Sequence, residues 1–207
     1  MAKLCVLFPG VGYTNLKPLL YYSGKIAIHE GYELLQINYS NLPVKIGRDK
    51  EKMKEAFEIA LSQAEDQLSQ VRWDEYEDII FVGKSIGTVI AAASGKGIKA
   101  KIKTEIHEKK NLVETTVNIR YIYLTPLKDT FTYAESRSGI AFFGDADPWS
   151  EMEDIVNGTH RLEIPLHIYE GGNHSLETGE VKKDIEILGD VMKYIKEYIT
   201  SNKISEY

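Results

Sequence analysis

The chain has 207 residues, 43% of them hydrophobic and 27% charged, and its 31 acidic against 25 basic side chains give a formal net charge of −6. That length suits one domain spanning 1–207 with a full core, and the acidic balance argues against a general nucleic-acid binder or a protein seated on an anionic membrane, since both need a basic surface. The single cysteine, Cys5, leaves no internal disulfide and suits a reducing compartment.

Residues 4–8 form a continuous apolar run closed by Pro9-Gly10, as expected of a central parallel strand buried on both faces. The run is too short for a secretory signal and no later stretch reaches membrane-spanning length, so a cytoplasmic location is expected. After the loop Pro9-Gly10-Val11-Gly12-Tyr13 comes a predicted helix over 18–30, stopped at Gly31. The Gly10-x-Gly12 pair follows a strand and opens a helix, which invites a dinucleotide-binding reading. It fails because the third glycine position holds Asn15 and the next strand, 32–39, offers Asn38 where an acid for the ribose is needed.

Residues 50–71 place Met53, Ala56, Phe57, Ala60, Leu61, Ala64, Leu68 and Val71 at helical spacing, a core-facing stripe. A strand over 78–82 then meets a helix over 88–94, and Gly83-Lys84-Ser85-Ile86-Gly87 lies at the turn between them. A phosphate-binding loop ending in Gly-Lys-Ser needs a glycine five residues before Gly83, and Asp78 stands there. A Gly-x-Ser-x-Gly bend instead projects a serine hydroxyl above the sheet and aims the first N–H groups of the helix beside it.

Residues 95–116 satisfy both a period of two and a helical stripe. A helix that extends or restarts, interrupted at Gly95 and Gly97, is expected, with its lysines on a solvated face. A strand over 118–124, a short helix near 130–135 and a strand over 139–143 follow. The chain then runs through Gly144-Asp145-Ala146-Asp147-Pro148-Trp149, a helix over 151–156, a strand over 166–169, the loop Glu170-Gly171-Gly172-Asn173-His174, and a last amphipathic helix through Val181, Ile185, Leu188, Met192, Ile195 and Ile199. This alternation predicts an α/β fold of about six strands in a mainly parallel sheet with helices on both faces.

In such sheets reacting groups collect beyond the carboxyl ends of the strands. Ser85, Asp147 and His174 each follow a different strand. A serine hydroxyl needs an imidazole to take its proton, and the imidazole needs a carboxylate to hold its tautomer, so the order Ser, Asp, His supplies three complementary roles. Each also has a plain reading: Gly-x-Ser-x-Gly arises by chance in many chains, Asp147 can cap the following helix, and His174 can be a turn residue. His29, His107, His160 and His167 read as surface or packing residues. No close-spaced ligand set points to a metal.

The chain resembles the α/β-hydrolases: Gly83-Lys84-Ser85-Ile86-Gly87 is similar to their nucleophile elbow, Gly144-Asp145-Ala146-Asp147 to their acid loop, and Gly172-Asn173-His174 to their histidine loop. The resemblance implies Asp147 as the triad acid, with Asp145 as the alternative, and the backbone N–H groups of Ile86 and Val11 as the oxyanion hole. Pro9 stands where that family frequently has histidine. Gly10, Gly12, Tyr13, Trp149 and Ser175 flank the three positions and are the candidate substrate-binding residues. The connection from 124 to 139 is where the family often inserts a lid. It is short here, so no large lid is expected. The resemblance implies a hydrolase that cleaves a small ester, thioester or lactone through an acyl-enzyme, with no cofactor and a small-molecule acyl substrate as its partner. The alternative is a non-catalytic binding module on the same fold.

Overall fold

The structure, a computed structural model, describes residues 2–43, 46, 49–108 and 117–201, the side chains of 103–108 excepted. The strands are β1 (Ala2–Phe8), β2 (Glu33–Gln36), β3 (Tyr76–Lys84), β4 (Ile119–Leu124), β5 (Gly139–Gly144) and β6 (Leu166–Tyr169). The helices are α1 (Pro18–His29), α2 (Lys50–Leu68), α3 (Ile86–Glu108), α4 (Thr130–Tyr133), α5 (Met152–Arg161) and α6 (Val181–Thr200).

The six strands form one sheet in the order β2-β1-β3-β4-β5-β6. Among the described residues every neighbouring pair of strands is parallel. All residues of β4 and β5 are buried, as near-continuous apolar runs require, whereas the edge strands β2 and β6 have only four residues each and stay partly exposed.

Strand side chains alternate between two cores. Leu4, Val6, Phe8, Ile79, Phe81, Tyr121 and Tyr123 meet the alanine face of α2 (Ala56, Ala60, Ala64) and the start of α3. Cys5, Leu7, Ile80, Val82, Ile122, Leu124 and Phe142 meet α1 and the Ile187, Val191, Ile195, Ile199 stripe of α6. Phe131, Phe143 and Ile155 seat α4 and α5 on the α2/α3 side.

Two sequence expectations change. The serine helix is not interrupted: α3 runs on through Gly95 and Gly97. A methyl on Gly95 would lie 1.9 Å from the Tyr121 hydroxyl, so this glycine is a notch for a core tyrosine and not a helix stop. The strand expected over 32–39 is ordered as β2 over four residues only, with Ile37 N–H donating to Leu7 O (3.0 Å) beyond it. Of the lysine-rich stretch, Lys96 and Lys101 are exposed and Lys99 pairs with Glu135, while residues 109–116 lie outside the described residues.

The chain leaves β1 in one direction to form β2 and returns on the other side to form β3. The crossing point therefore lies between the carboxyl ends of β1 and β3, where a crevice opens in sheets of this kind. Ser85 sits on one side of it and the loop Pro9–Tyr13 on the other.

Candidate active site

Ser85 stands between β3 and α3 at φ 57°, a left-handed conformation that costs a non-glycine residue about 1 kcal/mol or more. Its surroundings hold it there. Ser85 N–H donates to Leu124 O (3.0 Å), and Ser85 O accepts from Thr88 N–H (2.9 Å) and from the Thr88 hydroxyl (2.7 Å). The Thr88 hydroxyl also meets the Thr130 hydroxyl at 2.6 Å. Both glycines of the motif are dictated by close approach: a methyl on Gly83 would stand 2.6 Å from Gly87 O, and one on Gly87 2.1 Å from Phe8 O.

The acid and histidine loops are laced together before either meets the serine. Gly172 O accepts from Ala146 N–H (3.1 Å) and Tyr169 O from Asp145 N–H (3.2 Å). A methyl on Gly144 would fall 2.1 Å from Gly172 O, so the two loops approach backbone to backbone. Thr125, buried at the end of β4, donates its hydroxyl to His174 O (3.1 Å) and ties the histidine loop to a third strand end.

The result is a continuous hydrogen-bonded row. His174 Nε2 lies 2.7 Å from Ser85 Oγ, and His174 Nδ1 lies 2.7 Å from Asp147 Oδ2. The Asp147 side chain is 0% exposed and its other oxygen accepts from Trp149 N–H at 2.9 Å, so it serves the turn and the imidazole at once. Asp145 instead accepts from Gly171 N–H (2.6 Å). The carboxylate on the imidazole is therefore Asp147, and Asp145 holds the histidine loop.

Burial pushes the proton affinity of His174 below the ordinary imidazole value. The nearby positive Lys84 adds to that effect, and the Asp147 carboxylate opposes it. A neutral His174 donating from Nδ1 to Asp147 presents Nε2 as an acceptor for the serine proton.

The two predicted oxyanion donors take different places. Ile86 opens α3, directly after the serine, and Val11 sits at the tip of the β1–α1 turn, 39% exposed. Neither N–H has a hydrogen-bond partner among the described residues. Gly10 closes that turn by exchanging bonds with Tyr13 (3.1 and 3.3 Å), and a methyl on it would lie 3.2 Å from Ser85 Cβ. Gly12 takes φ 73°, the positive value such a tight turn demands.

Tyr13 is not a wall of an open pocket: it is 7% exposed, its hydroxyl accepts from Leu19 N–H (3.1 Å), and its ring lies under Lys84. Trp149 is at the rim, 41% exposed, its ring centroid 5.7 Å from that of His174. Ser175 is half-buried, and its N–H donates to Asn173 Oδ1 (2.7 Å), a bond that shapes the histidine loop. His167 packs between Phe142 and Tyr194, and His29 and His160 are exposed. The side chain of His107 lies outside the described residues.

Sequence reasoning missed Thr125 and Lys84. Thr125 had one signal, a polar residue before proline at a strand end. Lys84, in the second position of the serine motif, had none, because motif positions of that kind read as variable.

This arrangement is the α/β-hydrolase fold, and comparison with solved structures bears that out. A protein from Xanthomonas campestris pv. campestris placed in the alpha/beta superfamily aligns over 97% of this chain and 99% of its own, with a TM-score of 0.62 at 11% identity. Est1E from Butyrivibrio proteoclasticus, in a structure with ferulic acid bound, aligns over 96% of this chain and 88% of its own (TM-score 0.62, 13% identity). A serine hydrolase without a lid, from Xanthomonas campestris, aligns over 97% and 84% (TM-score 0.59, 10% identity). No family model and no curated protein matches the chain. No helix among the described residues is long and apolar enough to cross a membrane.

Proposed function

We propose that the chain is a serine hydrolase that cleaves a small ester, thioester or lactone by acyl transfer. One observation carries the reading: the unbroken row from Ser85 Oγ through both nitrogens of His174 to Asp147, with 2.7 Å at each contact. In this reading Ser85 Oγ attacks the substrate carbonyl as His174 Nε2 takes its proton, and Asp147 steadies the imidazolium. The oxyanion faces the N–H groups of Val11 and Ile86, at the positive end of α3. Collapse of the tetrahedral species passes the proton from His174 to the leaving oxygen or sulfur, leaving the acyl group on Ser85. Water, deprotonated by the same imidazole, then releases the acid.

The surroundings support this substrate class. Residues 125–138 carry only the single turn α4, and Val11 and Trp149 are exposed, Trp149 beside His174. An open rim with an indole beside the imidazole suits soluble acyl compounds with a flat or apolar group better than long chains that need an enclosing tunnel. The ferulic acid in the Est1E structure is a ligand of that kind on a similar fold.

The test is a panel of short p-nitrophenyl esters, aryl esters, thioesters, lactones and amides, run on the wild type and on Ser85→Ala. Turnover of at least one of the ester, thioester or lactone substrates, lost in the variant, is the expected result. A panel without Ser85-dependent turnover overturns the reading and leaves a binding module on this fold.

A further inference from the structure

Lys84 is the last residue of β3, one peptide bond before Ser85, and its side chain points to the α1/α6 face, in step with Ile80 and Val82. It is 0% exposed and among the largest fully buried side chains of the protein. A buried amine normally has a hydrogen-bond acceptor. Lys84 Nζ has none among the described residues. Nζ lies over the Tyr13 ring, 4.9 Å from its centroid, a distance at which an aromatic face attracts a cation.

The titratable and charged groups that act on this amine come from three loops. Asp147, after β5, favours its ammonium form. Lys17, before α1, disfavours it, as does burial, the largest influence, which brings the proton affinity of Lys84 down to about 7. The third is His174, after β6, whose protonated form is disfavoured by the same ammonium. Among the described residues the Asp147 carboxylate accepts from Trp149 N–H and is bonded to His174 Nδ1, and Lys84 Nζ is not one of its partners.

We propose that Lys84 is a positioning residue for the charge of the site: its ammonium, buried over Tyr13 one residue before Ser85, sets a second positive charge near the His174 imidazole and so keeps His174 in the form that accepts the serine proton. Lys84 Nζ makes no hydrogen bond to Ser85, His174 or Asp147, and it acts through the charge it adds near His174. This rests on the reading of His174 as general base. The direction is fixed by the charges. Over the range where His174 gains its proton, below its ordinary value, Lys84 is an ammonium, and a second positive charge nearby makes that protonation harder. A linear, neutral replacement of similar size removes the opposition and raises the proton affinity of His174.

The experiment is an NMR titration of the His174 imidazole nitrogens, followed across roughly pH 4 to 9 in the wild type and in Lys84→Met, with the pH profile of kcat/KM on a short p-nitrophenyl ester alongside. In Lys84→Met the imidazole midpoint and the acidic limb of the profile are both expected to move up, by about one pH unit. A His174 midpoint that stays in place in folded Lys84→Met overturns the proposal. Should Lys84→Met not fold, the wild-type titration decides: a second inflection near 7 in the His174 nitrogen shifts, as Lys84 changes charge, supports the proposal, and a single inflection overturns it. The imidazole titration needs no turnover. A shifted midpoint with no ester, thioester or lactone turned over sustains the effect of Lys84 on His174 and sinks the hydrolase reading, while Ser85-dependent turnover with an unmoved midpoint does the reverse.

Discussion

Gly87 and Gly97 lie on the same helix, and replacing each with alanine should move the protein in opposite directions. A methyl on Gly87 would stand 2.1 Å from Phe8 O, 2.7 Å from Pro9 O and 2.8 Å from Phe8 C. All three are backbone atoms at the end of β1, so relief requires the strand end and its loop to move. Overpacking of that kind costs about 3 kcal/mol, near the upper end of its usual range. For a chain of this size that is a fall in Tm of roughly 6–12 °C. A methyl on Gly97 meets nothing within 4 Å. There alanine restricts the unfolded chain and favours the helix, a gain of roughly 0.5–1 kcal/mol and about 1–4 °C. Because Phe8 and Pro9 lead on to Val11, Gly87→Ala should also misplace one proposed oxyanion donor and lower kcat by roughly 10²–10³-fold. Circular dichroism melts and ester turnover on both variants check this. Equal melting behaviour of the two variants, or an unshifted Tm with full turnover in Gly87→Ala, would refute the reasoning.

Three further outcomes are expected. Asp147→Asn should lower kcat by about 10⁴-fold by disturbing the imidazole tautomer, while Asp145→Asn, which alters only the bond to Gly171 N–H, should lose less than about tenfold, both read by steady-state kinetics. Arg120→Met should destabilise by about 3–5 kcal/mol in urea titrations, because the guanidinium bonds Asp78 (2.7 Å), Tyr32 (3.0 Å) and the carbonyls of Tyr198 (2.6 Å) and Ile199 (3.3 Å) that end α6. The acidic limb of kcat/KM in the wild type should lie below the ordinary imidazole value of about 6.5, since burial and Lys84 disfavour the His174 cation more than Asp147 favours it. A limb at or above that value would show Asp147 to be the stronger influence.

Much of this site was legible in the sequence because its parts are local. A strand, a small-residue turn and a helix place Ser85 whatever the rest of the chain does, and apolar runs buried on both faces carry their own signature. Chain order then put Asp147 and His174 at successive strand ends. The choice between Asp147 and Asp145 could not be made that way, because two residues along one loop differ only in which neighbour they turn towards. Tyr13 reads as a loop aromatic beside the site and proves to be a buried support, since its exposure depends on α1 and β3 closing around it. Gly95 reads as a helix break, because the Tyr121 hydroxyl that requires it comes from β4, far along the chain. Arg120 sits inside an apolar strand with nothing nearby in sequence to mark it. Its partners, Asp78, Tyr32 and the end of α6, meet only once the sheet is assembled.

The most direct trial of the account is reaction with a fluorophosphonate, with the labelled residue located by mass spectrometry in the wild type, Ser85→Ala and His174→Ala. The account predicts one phosphonylated residue, Ser85, no labelling in Ser85→Ala and a labelling rate lowered by orders of magnitude in His174→Ala. Labelling at another residue, or undiminished labelling in either variant, would contradict it.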